Sequence, residues 1–449
     1  MFKRITISNI FGLQIFQVLR FVSFLAISIV FTKSTLSVKD IGDFELLLFI
    51  ASAVSFFWIT GIIQSLLPLF NNNNSYPFQK ERHKYKSPEI FNSFLLILFF
   101  SLLLALTGYF FQEKIMVYKG GEPLPYADYI LLYIFFSSPA CLVEYIYLLY
   151  NKTANILIYG FISFTLQTVL IVYPVVLGYG LIVSIWGLLI VTAIRFIWLM
   201  VLLKKYSEIK FSWVFIKEHI NLATPLIIST LLSGSAQYID GLIVSAKFPP
   251  EKFALFRYGA KEMPLVVTLA SGLNNAMLTQ FRQIDHIKQG LLTLKKRSLR
   301  LMHILFPISI LLLFFSDLIF PTIFTIRFSS SSGVFMVYLL LILSRLVFPQ
   351  TILIGLKKMK IVMLASILEI VLNITLTLIL IPNYGIVGVA VATVVIYIVE
   401  KFALIAYNYY KLDIKPSDYI PIGWYLAYSV TIVVLFVLID HRIIDFRFW

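Results

Sequence analysis

The chain has 449 residues, 60% of them hydrophobic and 13% charged, with 37 Lys and Arg against 22 Asp and Glu. Soluble globular domains sit near 45–50% apolar and ~25% charged. Here the excess comes in blocks of about twenty residues, the length that spans a ~30 Å hydrocarbon core as a helix. A soluble fold is excluded, and the basic balance lies in short loops between blocks, which marks membrane orientation rather than nucleic-acid binding.

In chain order, thirteen helices are expected, at residues 10–31, 43–66, 90–111, 126–149, 155–176, 180–203, 221–246, 259–281, 299–320, 334–356, 360–381, 385–408 and 418–439. The first follows Lys3 and Arg4, but its apolar stretch is too long for a cleavable leader and lacks a small-residue cleavage site. With the amino terminus inside, the internal loops carry about twice as many Lys and Arg as the external ones. They include Lys80-Glu81-Arg82-His83-Lys84-Tyr85-Lys86, Lys204-Lys205, Lys295-Lys296-Arg297 and Lys357-Lys358. Thirteen crossings would leave Trp449 outside, and an even count would return it inside. The stretches 204–220 and 282–298 are basic and amphipathic. Phe211, Trp213, Val214 and Phe215 interleave with Lys210 and Lys217, which suits either a helix lying in the interface or a plain connector.

Several chemistries are missing. Cys141 is the single cysteine and the five histidines are scattered, so neither a disulfide nor a metal site is expected. No GxxxxGK[ST] is present. The longest external loop, 112–125, is too small for a catalytic domain. No cofactor is expected, and the chain is read as a non-enzyme.

The chain also repeats itself. Gly61-Ile-Ile-Gln-Ser-Leu-Leu-Pro-Leu-Phe70 aligns with Gly272-Leu-Asn-Asn-Ala-Met-Leu-Thr-Gln-Phe281, and Gln167-Thr-Val-Leu-Ile with Asn373-Ile-Thr-Leu-Thr. Leu177-Gly-Tyr-Gly-Leu-Ile follows as the counterpart of Pro382-Asn-Tyr-Gly-Ile-Val. The offsets are nearly constant and enclose six helices, an even number, so the two halves have parallel topology. The expected fold is all-α and polytopic: two six-helix bundles around a central cavity, plus an additional C-terminal helix. The expected divisions are 1–203 for the first bundle, 204–220 for the linker, 221–408 for the second bundle and 409–449 for the added helix. Pro139, Pro174, Pro225, Pro264, Pro307 and Pro349 fall in or near helices and are candidate kinks.

An ionisable group at mid-bilayer costs at least ~2.5–3.5 kcal/mol on insertion scales, so it faces a cavity or a partner. Arg20 is central in the first helix, with Gln14 and Gln17 on the same face at three-residue spacing. Arg345 is central in the tenth helix, and Arg257 and Lys261 lie at the outer start of the eighth. These cations and Gln17 are the candidate substrate-binding residues, since guanidinium forks match phosphate oxygens and Lys adds a point charge. The competing reading is internal pairing, with Glu144, Asp240, Glu262 and Glu369 as pairing or coupling acids. Arg195, Glu400 and Lys401 are expected to snorkel to the inner interface.

Ala223-Thr-Pro-Leu-Ile-Ile-Ser-Thr and Tyr238-Ile-Asp-Gly resemble the seventh-helix segment of oligosaccharide flippases in the multidrug/oligosaccharidyl-lipid/polysaccharide (MOP) exporter superfamily, which also holds the MATE transporters. Phe253-Ala-Leu-Phe-Arg-Tyr-Gly-Ala-Lys-Glu-Met-Pro264, Ile381-Pro-Asn-Tyr-Gly-Ile-Val-Gly-Val-Ala-Val-Ala-Thr393 and Ile41-Gly-Asp-Phe44 resemble further segments of that group. The resemblance spans helices one to twelve. It implies flipping of an undecaprenyl-diphosphate-linked oligosaccharide across the bacterial cytoplasmic (inner) membrane, for O-antigen, capsule or exopolysaccharide assembly. The implied partners are that lipid-linked oligosaccharide, membrane lipids and other glycan-assembly proteins. The diphosphate would fall to Arg20, Lys261 and Arg345. A drug/cation antiporter of the superfamily wants carboxylates in its cavity, and the first helix carries Arg20 and no acid. A glycan polymerase or ligase wants a large external loop. A lipid II flippase stays open as the nearest relative.

Overall fold

The computed structural model describes residues 9–72, 86–112, 124–260, 264–281, 287–356 and 358–441. Within them regular structure is helical, apart from an isolated parallel bridge between Ser87 and Ser207. Two compact units are present: Met1–Ser235 with Ser245–Glu251, and Ala236–Val244 with Lys252–Trp449.

The first unit contains α1 (Asn9–Lys33), α2 (Val38–Asn72), α3 (Pro88–Phe110), α4 (Ala127–Ala140), α5 (Leu142–Leu149), α6 (Thr153–Val176), α7 (Leu181–Tyr206) and α8 (Trp213–Gly234). Pro88 opens α3, where the missing N–H has no helical partner to lose. Pro139 sits near the end of α4, and α4 and α5 meet at Cys141, whose dihedrals stay helical (φ −60°, ψ −15°), so that Ala127–Leu149 remains one membrane-length span. Helices in lipid approach through small residues. A Cβ on Gly160 of α6 would lie 2.7 Å from the Phe16 ring of α1, and one on Gly12 would lie 2.4 Å from Thr153 Cγ2. Phe16 also stacks on Tyr159 with ring centroids 5.9 Å apart. The Ser23 hydroxyl reaches Thr168 at 2.8 Å and donates to the Phe164 carbonyl at 3.2 Å.

Helix α8 packs on α2. The buried ring of His219 places Nε2 2.9 Å from the Ile62 carbonyl and Nδ1 3.3 Å from Ser93 Oγ. The first unit therefore runs past residue 203 and takes in a helix that starts at Trp213, eight residues before the expected 221. Most of the 204–220 stretch belongs to the ends of α7 and α8, and 207–212 links them. That link is pinned by Asn92, whose side-chain amide donates to the Lys210 carbonyl (2.8 Å) while its oxygen accepts from the Ser212 N–H (2.9 Å). Ile209, Phe211, Trp213 and Val214 are exposed, Val214 to 79%, while Phe215 is buried.

The second unit takes Ala236–Val244 of α9 (Ala236–Lys247) and α10 (Pro250–Gly259) from Lys252 onward. It continues with α11 (Pro264–Phe281), α12 (Ile287–Phe314), α13 (Ser316–Ile323), a 3₁₀ turn (Ile326–Phe328), α14 (Ser331–Leu339), α15 (Ile342–Arg345) and α16 (Pro349–Gly355). The long α17 (Met359–Leu412), the short α18 (Pro416–Tyr419) and α19 (Ile422–Asp440) complete it. The seventh expected span, 221–246, is interrupted at Ser235, between α8 and α9. The tenth is broken into α14, α15 and α16, with a 45° bend ahead of Pro349. Pro225 and Pro307, by contrast, lie inside continuous helices. The eleventh and twelfth are the two helical halves of α17, joined across a kink at Gly385 (φ 57°, ψ −134°). Gly180, its repeat counterpart, has φ 77°, so both halves use the same left-handed glycine at this turn. Among the described residues nine helices are long and apolar enough to cross a membrane, ten if the bent pair is one span.

The aligned glycines differ in their surroundings. A Cβ on Gly61 would meet the Ile227 backbone nitrogen at 2.8 Å, whereas Gly272 has open space. Gly61→Ala should therefore lower the melting temperature of the purified protein in detergent, by the ~1–3 kcal/mol typical of overpacking. Gly272→Ala should leave it unchanged. Equal melting curves for the two variants would remove the close α2–α8 approach.

Candidate functional site

In the first unit the rotation of α1 is set by the residues that dock on α6, namely Gly12, Phe16 and Ser23. Gln14, Gln17 and Arg20 point away from that face and are exposed. Among the described residues Arg20 makes no ion pair. Val18 and Val22, also exposed, occupy the opposite flank. Arg20 and Arg195 of α7 both act electrostatically on Glu144 of α5 and on Tyr133 of α4, so the two guanidiniums share one region. Glu144 is buried there.

Arg195 departs from the snorkelling expectation. Its guanidinium turns to α6, donating from Nη2 to Gln167 Oε1 at 2.8 Å and to the Ser163 carbonyl at 3.2 Å. It also lies 5.0 Å above the Phe164 ring. Reading the sequence passes over this contact because the direction of a long side chain depends on its tertiary neighbours. The signal available was Gln167, a polar residue in an apolar block that the repeat already marks.

In the second unit a buried polar chain joins α9, α14 and the two halves of α17. Asp240 Oδ2 accepts from Tyr338 Oη and from Thr393 Oγ1, each at 2.6 Å. Asn373 donates to Thr393 Oγ1 (3.0 Å) and accepts from Thr377 Oγ1 (3.1 Å). Arg345 is half-buried at the end of α15, 4.9 Å above the Tyr397 ring, and lines a small recess with Ser309 and Tyr338. Glu369 is buried within the electrostatic reach of Glu400, Lys401, Arg345 and Asp240. Lys401 pairs with Glu400 at 2.7 Å and approaches Gln350 at 3.4 Å. Arg257 is half-buried on α10. Lys261 and Glu262 lie outside the described residues.

The candidates therefore divide into two local groups: Gln17, Arg20 and Glu144 with Arg195 and Gln167 in the first unit, and Asp240, Arg345 and Glu369 in the second. The first group offers guanidinium and amide donors suited to anionic oxygens. The second holds its acids against hydroxyl, amide and cationic partners. No cluster of three or more His, Cys, Asp or Glu suited to a metal occurs among the described residues.

Asp240 is 6% exposed and answers two hydroxyls. Asp240→Leu should lower thermal stability by more than Tyr338→Phe does. It strands two buried donors at ~1–3 kcal/mol each, whereas the phenylalanine removes one of them. If both variants melt with the wild type, the chain of hydrogen bonds has no structural weight.

Two family models, each described as "Polysaccharide biosynthesis protein", match the chain, one over residues 36–333 and the other over 247–440. No curated protein matches it significantly. Among solved structures it is similar to the lipid II flippase MurJ in an inward closed conformation, with a TM-score of 0.68, 19% identity, and 97% of this chain and 94% of that one covered. It is also similar to a multidrug resistance MATE family transporter of the MOP superfamily. The outward-facing form gives a TM-score of 0.55 at 13% identity, covering 94% of each chain. The inward-facing form gives 0.57 at 12% identity, covering 93% of this chain and 95% of that one. Such identities speak for the fold, and the first family model covers more than half of the chain. With the fold of the MOP-superfamily transporters, the chain belongs to the polysaccharide biosynthesis protein family.

Proposed function

We propose that this protein is a flippase that moves undecaprenyl-diphosphate-linked oligosaccharide units from the inner to the outer leaflet of the bacterial cytoplasmic membrane. The amino terminus lies in the cytoplasm, and the glycan feeds O-antigen, capsule or exopolysaccharide assembly. The carrying observation is Arg20, a guanidinium midway along a membrane-spanning helix that is exposed and makes no ion pair among the described residues. Holding such a group at membrane depth costs ~2.5 kcal/mol or more, and an anionic headgroup would offset that cost when bound. The family description supports the glycan part of the substrate, and the likeness to a lipid II flippase supports the lipid carrier. The absence of a carboxylate from α1 weighs against cationic drugs.

The mechanism is alternating access. The diphosphate enters at Arg20 with Gln17 beside it, and the prenyl tail stays in lipid; Arg257, Lys261 and Arg345 are the candidate substrate-binding cations of the second half of the chain. Glu144, Asp240, Glu262 and Glu369 are the acids whose charge the cycle must accommodate. Arg20→Ala should insert normally and abolish glycan export, with the lipid-linked glycan accumulating in the inner leaflet. Labelling of the glycan in right-side-out and inverted vesicles reads this directly. Unchanged export would remove Arg20 from the pathway.

A further inference from the structure

Three neighbouring groups around α6 and α7 lack hydrogen-bond partners although they are buried: Ser163 Oγ, Gln167 Nε2 and Arg195 Nε. Ser163 is 5% and Gln167 1% exposed. Gln167 spends its oxygen on Arg195, and the Ser163 carbonyl does the same, so both partners orient the guanidinium while a hydroxyl, an amide N–H and a guanidinium N–H remain unanswered. A buried unsatisfied donor costs ~1–3 kcal/mol, so three of them side by side are kept against stability. All three are hydrogen-bond donors, the nearby Arg20 adds a second guanidinium, and the buried Glu144 is the acid in electrostatic reach of both.

The repeat sharpens this. At the offset that pairs Gln167 with Asn373, Ser163 pairs with Glu369. After the Gly180 and Gly385 turns the offset drops by one, which pairs buried Leu199 with buried Leu404 and Arg195 with Glu400. The amide is kept in both halves, but a hydroxyl and a guanidinium in the first become two carboxylates in the second. There Glu400 is already bound to Lys401, and Asn373 is engaged with Thr393 and Thr377. The duplicated positions have opposite sign.

We propose that Ser163, Gln167 and Arg195 form a second anion-binding station, which takes phosphate oxygens of the diphosphate, and that the equivalent positions of the second unit take none. This deepens the reading given above and rests on it for the identity of the phosphate.

The test uses the full chain in nanodiscs of neutral phosphatidylcholine, titrated separately with undecaprenyl diphosphate, phosphatidylglycerol and inorganic pyrophosphate. Wild type should bind undecaprenyl diphosphate saturably. Arg195→Gln should weaken binding by tenfold or more, and Ser163→Ala by several-fold. Lys205→Gln, which removes an exposed cation at the end of α7, should leave it unchanged. Ser163→Ala should also melt at or above the wild-type temperature, because it deletes an unanswered hydroxyl; a purely structural serine would lower it. Wild-type affinity in both Arg195→Gln and Ser163→Ala overturns the station. If undecaprenyl diphosphate fails to bind but pyrophosphate or phosphatidylglycerol binds in an Arg195-dependent way, the station stands and the carrier-lipid reading falls. Absence of all anion binding overturns the station.

Discussion

Everything in this protein is arranged around the cost of placing polar groups where water cannot answer them. In hydrocarbon an unpaired guanidinium or carboxyl is tolerated only when something repays it. The two units meet this demand differently. In the second, Asp240 accepts from two hydroxyls and Lys401 is neutralised by Glu400. In the first, Arg195 is held in place by acceptors yet keeps a nitrogen without one, and Arg20 stands exposed.

The packing that makes this possible is plain. Because Gly12 and Gly160 carry no side chain, α1 and α6 approach closely, and the Phe16 ring then locks the rotation of α1. That rotation decides where Gln17 and Arg20 lie. A larger residue at either glycine would turn or lift α1 and carry the guanidinium with it. The polar face is therefore a product of residues that have no polarity themselves, through a contact whose geometry rather than its strength matters.

Much of this was readable beforehand, and the failures have physical reasons. The apolar blocks follow from bilayer thickness and reappear as helices, although nine or ten of the described helices, not thirteen, are long and apolar enough to cross a membrane. The turn at Gly385 was visible because Pro-Asn-Tyr-Gly can do little else. The break at Ser235 falls at Ser233-Gly234-Ser235, a run of low helix propensity that the apolar residues on both sides mask in a block reading. The early start of α8 at Trp213 was hidden too, because an amphipathic stretch reads the same whether it lies in the interface or opens a span. Arg195 was misdirected: a snorkelling side chain and one folded back on a buried amide have identical sequences, and only the neighbour at Gln167 separates them. Asn373 was noticed as a repeat mark, and its link through Thr393 to Asp240 needed three helices to be placed first.

The short link between α7 and α8 has a mechanical meaning. Its backbone is clasped from both sides by the amide of Asn92 and bridged to Ser87, so it carries almost no slack. A hinge made of loose chain would absorb displacement, whereas a riveted one passes it on. Any shift of α8 must be felt at the carboxyl end of α7 and the first turn of α3 together, so these three helix ends travel as one rigid bracket.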